Sequence, residues 1–162
     1  MFAILSIRDA AAAQLTNAGD ESWAARLREL PPERIHIAVC VEPYLTRIFT
    51  GEKTLESRLA RHRVAPWHRV RAGDAVLLKR SGGPVVGGFE VSACDYLEIG
   101  DIEAFWARYG DALCVDEDFR QRKRASRYAT LLTVGRPFAL PEPIPCREKN
   151  RRSWIDFPQE HP

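Results

Sequence analysis

The pattern that most restricts the fold of this chain is a succession of short β-branched runs, each closed by a turn. Ile35–Val41 reads IHIAVCV, an apolar stretch broken only by His36, of the kind buried on both faces of a sheet. Arg71-Ala72-Gly73-Asp74 is a turn signal ahead of a strand expected over Ala75–Leu78, and Ser81-Gly82-Gly83-Pro84 is another ahead of a long run, Val85–Leu97. Inside that run the pair Gly87-Gly88 marks an expected bulge or bend at a barrel corner. Tyr128–Val134 returns to strand, a stretch punctuated by Pro137, Pro141, Pro143 and Pro145 reads as a tail, and Ser153–Phe157 offers a final edge strand. Strands this short, with a brief helix after the first of them, predict a small mixed barrel and not a parallel βαβ sheet.

Helices are expected on either side of this pattern. Ala10 to Ala13 have high helix propensity, Asp20-Glu21-Ser22 can cap a second helix through Leu30, and Pro31-Pro32 ends it. Glu42-Pro43 opens a short helix whose Leu45, Ile48 and Phe49 share one face, and Gly51 suits the left-handed position just past its end. Ile102–Tyr109 and Val115–Arg124 have helical spacing, with Asp101 and Asp116 as caps. The class is α+β. The chain divides into a helical extension (1–34), a barrel domain (35–157) and a tail (158–162). The extension reads as a helical cover or as a self-association element, and the residues leave both open.

A length of 162 residues suits a single core. The net charge of +2 excludes a histone-like polycation, so local charge has to be examined. Three stretches are basic: Arg58, Arg61, Arg63, Arg69 and Arg71 with His62 and His68; Arg120, Arg122, Lys123, Arg124 and Arg127; and Arg147, Lys149, Arg151 and Arg152. Trp67, Tyr128 and Trp154 are interleaved with them, a composition suited to neutralising phosphates and stacking bases. Charge runs are usually solvated faces and tryptophans usually core anchors, but acids collect elsewhere in this chain, so its charge is segregated. Cys40, Cys94, Cys114 and Cys146 lack C-x-x-C spacing, and the first three have apolar neighbours, which predicts reduced thiols, no metal site and a cytoplasmic setting. No stretch approaches the roughly 18–20 apolar residues of a membrane span, and Arg8 and Asp9 interrupt the apolar N-terminus too early for a secretory signal. No cofactor is expected.

The chemistry concentrates in Gly51-x-Lys53-x-x-Glu56-x-Arg58. In an extended strand, Thr54, Glu56 and Arg58 share a face and Leu55 takes the other, with Lys53 leaning over the same opening from the preceding turn. The plain reading is an ion pair bracing a barrel beside a solvated Lys53. The functional reading is a polar-ligand pocket in which a cation, an anion and a hydroxyl meet a phosphate and a base edge.

This segment resembles the G-x-K-x-x-E-x-R motif of ASCH domains. Arg71–Leu78 is similar to the strand entry of that family and Val85–Val91 to its next strand, so the resemblance covers about Ile35 to Val134, with an echo in Lys149–Phe157. It implies a PUA-like barrel and an RNA-linked role. The expected partners are RNA, another single-stranded nucleic acid or a modified nucleoside, held by Lys53, Thr54, Glu56, Arg58, Arg61, Trp67, Arg69, Arg124, Arg127 and Tyr128. Some ASCH proteins are amidohydrolases acting on N4-acylated cytidines through a Lys and a Thr of the motif with a downstream Glu, and others are linked to RNA cleavage. Lys53 matches that Lys. Glu56 stands where those hydrolases carry the Thr, and the nearby hydroxyls are Thr54 and Ser57. The catalytic candidates for an enzyme are therefore Lys53, Glu56 and Thr54, with Asp111 as acid or base.

Overall fold

The computed structural model describes residues 2–147 and 152–157. Two helices, α1 (Phe2–Asn17) and α2 (Glu21–Glu29), lead through a 3-10 turn (Pro32–Arg34) into β1 (Ile35–Cys40). There follow α3 (Tyr44–Phe49), β2 (Leu55–Ala60), β3 (Ala75–Arg80), β4 (Val85–Glu98), α4 (Ile102–Leu113), α5 (Glu117–Lys123), β5 (Tyr128–Ile144) and β6 (Trp154–Ile155). The strands form one mixed sheet in the order β2-β5-β4-β3-β1-β6, in which β1 and β3 run parallel and the other neighbours antiparallel. The sheet curls into a PUA-like half-barrel, so that β2 at one end comes to face β1 and β6 at the other.

Local chemistry caps the helix starts at the predicted aspartates, while α4 runs to Leu113, four residues past the expected Tyr109. Asp20 accepts a hydrogen bond from the Trp23 N–H, Asp101 accepts from the Glu103 and Ala104 N–H groups, and Asp116 accepts from the Phe119 N–H. Each such cap contributes about 1 kcal/mol. α3 stops at Gly51, whose φ of +80° is costly for any residue with a Cβ. At the corner of β4 the glycines are needed for space. A Cβ on Gly87 would lie 2.2 Å from the Phe138 carbonyl oxygen, and one on Gly88 2.7 Å from that of Val76. Register shifts flank this pair, which is the expected bend.

The central strands β1 and β3 are buried on both faces. Ile35, Ile37, Ala75 and Leu77 point to one side, where Ile4, Ile7, Leu15, Trp23 and Leu27 of α1 and α2 pack with Phe138 and Ile144. Ala38, Val76 and Leu78 point to the other, among Leu45, Ile48, Phe89, Leu132 and Trp154. The N-terminal helices are thus the cover of one sheet face, tied down by Trp23 Nε1, which donates to the Arg136 carbonyl at 3.0 Å. A third cluster, Leu59, Phe105, Trp106, Leu113 and Leu131, seats α4 against β2 and β5.

Two expectations differ in extent. β5 runs ten residues past Val134 and takes in Pro137, Pro141 and Pro143. None of these prolines is a register partner of β4, so their missing N–H groups interrupt no rung of the ladder. The final edge strand shortens to Trp154–Ile155, which pairs with Ala38 and Ile37. Lys149 lies outside the described residues, and with it part of the segment 149–157. Among the described residues no helix is long and apolar enough to cross a membrane, and no three His, Cys, Asp or Glu side chains gather as a metal site would require.

Candidate functional site

The Gly51 turn returns the chain so that the Lys53 N–H donates to the Arg47 carbonyl at 2.9 Å, which points the Lys53 side chain inward. Only 3% of Lys53 is exposed. Its Nζ donates to the Leu113 carbonyl at 2.6 Å, lies 3.7 Å from Glu56 Oε2 and sits 5.6 Å from the centre of the Tyr44 ring. Glu56, also buried, accepts from Arg58 Nη2 at 2.9 Å through its other oxygen. Arg58 then spans the opening of the half-barrel. Its Nη1 donates to the carbonyls of Val39 at 3.0 Å and Ser153 at 3.2 Å, Nη2 lies 3.4 Å from Cys40 Sγ, and the guanidinium rests 5.6 Å from the Trp154 ring centre.

The three motif side chains are therefore both an ion network and part of a cavity wall. They line an open cleft of about 680 Å³ along the seam between β2 and β1/β6. Among the described residues its remaining charged walls are cationic: Lys79, Arg122, Lys123 and Arg152 join Lys53 and Arg58, against the single carboxylate of Glu56. Trp67 and Tyr128 supply aromatic wall, 5.1 Å apart edge to face.

Burial and the charges around it shift the groups within the cleft. Burial pulls the Lys123 ammonium below its ordinary value, and Arg58 and Arg122 push it further in the same direction. Burial works against the Arg58 guanidinium, but Glu56 and then Cys40 hold it charged more firmly than usual. The Cys40 thiol is pushed up to about 12, first by burial and then by Glu56, with Arg58 opposing. It is a packing and hydrogen-bonding group at neutral pH, not a nucleophile.

Of the residues singled out from sequence, Lys53, Glu56, Arg58, Trp67 and Tyr128 come together in the cleft. Arg61 and Arg127 line a shallower adjoining depression that shares His62 and Tyr128 with it. Four others do not join. Thr54 is exposed, because the strand begins only at Leu55 and the Thr54 carbonyl is used in accepting the Val134 N–H. Asp111 is exposed on α4 outside the cleft lining. Arg69 turns to Asp156, 2.9 Å away, and Arg124 donates to the Gln121 carbonyl at the end of α5. Sequence reasoning missed Tyr44, Cys40 and Lys79 as cleft residues, and it placed Lys123 only in a charge run. The available signal for Lys79 was a lysine directly continuing the apolar strand Ala75–Leu78.

A curled six-stranded mixed sheet with a cationic cleft at its seam defines a PUA-like domain. The chain belongs to the ASCH domain family, whose model matches residues 39–141. Among solved structures it is similar to ASCH from Zymomonas mobilis, at 18% identity and a TM-score of 0.60, over 79% of this chain and 90% of that one. A tyrosine-to-phenylalanine mutant of the Zymomonas protein aligns at 18% identity and a TM-score of 0.60 over 78% and 92% of the two chains. A serine-to-alanine mutant aligns at 17% and 0.60 over 81% and 93%. Likeness at this identity is one of fold. No curated protein sequence matches significantly.

Proposed function

We propose that the cleft binds one nucleotide unit of a single-stranded RNA, with the adjoining depression and its arginines following the backbone. The observation that carries this reading is the composition of the walls: six cationic side chains against one carboxylate, beside the Trp67 and Tyr128 rings. Cations neutralise phosphates, and aromatic faces stack bases without regard to sequence. A cavity of 680 Å³ is within the range that holds a small ligand, roughly 300–1,000 Å³. Binding is favoured over hydrolysis of an N4-acylated cytidine or of RNA because Thr54 lies outside the cleft and both Glu56 oxygens face cations. Four free cysteines fit a reducing, cytoplasmic setting.

The test is fluorescence anisotropy with a labelled single-stranded RNA between about 50 and 200 mM salt, the interval over which phosphate contacts weaken measurably. Arg122 and Arg152 are exposed members of the cleft wall, so Arg122→Ala combined with Arg152→Ala leaves the buried network intact. Loss of two phosphate contacts lowers the slope of log affinity against log salt by about 1.4. Equal affinity and equal slope for the variant and the parent would remove the cleft from the binding surface.

A further inference from the structure

Lys53 and Lys79 are both buried in the cleft wall, at 3% and 7% exposure, but only Lys53 has a carboxylate. In β3, Lys79 lies opposite Val39 of β1, just past the register shift at Leu78/Lys79. Both Val39 and Lys79 line the cleft. The Lys79 ammonium donates to the Arg80 carbonyl at 3.2 Å, and no carboxylate of the described residues pairs with it. An ammonium has three donors, so two are left without a partner among the described residues. A second orphan faces the same strand: Arg58, whose Nη1 is bonded to the Val39 carbonyl, has a buried Nε with no hydrogen-bond partner. Ser81, whose N–H is bonded to the Cys40 carbonyl, adds a hydroxyl to this end of the wall. A buried charge without a counter-ion is unfavourable in isolation, and an oxyanion with several acceptor oxygens can take up the free donors of Lys79.

We infer that the Lys79 end of the cleft is a phosphate subsite, so that the ligand is a phosphate ester of a nucleoside and not the neutral nucleoside itself. The inference rests on the reading of the cleft as a nucleotide site and narrows it to a chemical class. Burial first, and then Arg58 and Arg122, weaken the protonation of Lys123, which agrees with a wall built to receive negative charge.

Calorimetric titration of the whole chain with uridine, uridine 5′- and 3′-monophosphate and inorganic phosphate, on the parent and on Lys79→Met, decides the matter. The parent is expected to bind a monophosphate about tenfold or more tightly than uridine, the discrimination one or two charge-assisted hydrogen bonds provide. Lys79→Met is expected to lose that preference while melting at the parental temperature or above it, because an unpaired buried charge has been removed. A parent that binds uridine and its monophosphates equally overturns the subsite. So does a Lys79→Met protein that keeps the preference, or one that melts lower or fails to fold, since the ammonium is then a structural group. The two readings fail separately. Binding of inorganic phosphate that depends on Lys79, without binding of any nucleotide, leaves the subsite standing and removes the nucleotide reading. RNA binding with an unchanged salt slope in Lys79→Met, and no preference for phosphate, does the reverse.

Discussion

Glu56 holds the motif together. Among the described residues it is the only carboxylate in the cleft wall, and it answers two buried cations through separate oxygens, Lys53 at 3.7 Å and Arg58 at 2.9 Å. Removing one partner of a buried ion pair leaves the other charges uncompensated, which is far costlier than the pair is worth. Glu56→Ala is therefore expected to cost about 3–5 kcal/mol, read from urea unfolding with the slope m unchanged. A cost below about 1 kcal/mol, typical of an exposed pair, would mean that solvent screens the network. The motif trio was legible in the sequence because it spans only six residues and strand alternation brings two of the three to one face. Thr54 was misread for a related reason, since alternation applies only from Leu55, where the ladder begins. Lys79 was not legible as a site residue. What sets it apart is a missing counter-ion, and that depends on what every other element brings to the cleft.

At the scale of elements, the turn ahead of β3 carries more than its glycine signal suggests. Asp74 accepts from Arg34 Nε at 2.7 Å through Oδ1, while Oδ2 accepts from the Arg71 N–H at 3.1 Å and lies 2.9 Å from His36 Nε2. One carboxylate thus joins the 3-10 turn, β1 and the entry to β3, while Arg26 of α2 donates to the neighbouring Gly73 carbonyl. Burial works against ionisation of Asp74, but the bonds from His36, Arg34 and Arg71 prevail and hold it below the ordinary 3.8. Below 3.8 the unfolded chain binds a proton that the folded chain resists, so this contribution is complete above 3.8 and is lost as pH falls through the lower folded value. Asp74→Asn is expected to be less stable than the parent at neutral pH and to flatten the acid side of the stability curve, measured by urea midpoints from pH 6 down to pH 2. Parallel acid limbs in the two proteins would exclude the carboxylate as their source. Strand and helix identities were readable here because capping aspartates and Gly turns act locally. The extent of β5 was not, since the prolines that argue against a strand fall between rungs that only the partner strand defines.

For the molecule as a whole, the N-terminal helices belong to the same packed core as the sheet they cover. Leu27 is fully buried among residues of α1, β1 and β3, and truncating a side chain in such a position costs about 2–5 kcal/mol. Leu27→Ala is expected to lower the midpoint of a single transition, with far-ultraviolet circular dichroism and tryptophan fluorescence changing together. Two separated transitions would make residues 1–34 an independently folding unit. Alanine propensity, the Asp20 cap and the Pro31-Pro32 stop made the presence of these helices readable, but their docking face was hidden because α1 has aliphatic residues on more than one side.

The seam has a mechanical meaning of its own. Strand neighbours are held by amide ladders, but between β2 and the opposite rim the hydrogen bonds come from Arg58 alone among the described residues. A single guanidinium is a clasp, and its arm length sets how wide the aperture stands. The domain can therefore breathe along this line without breaking a strand pair, and a guest lodged there would brace both lips at once.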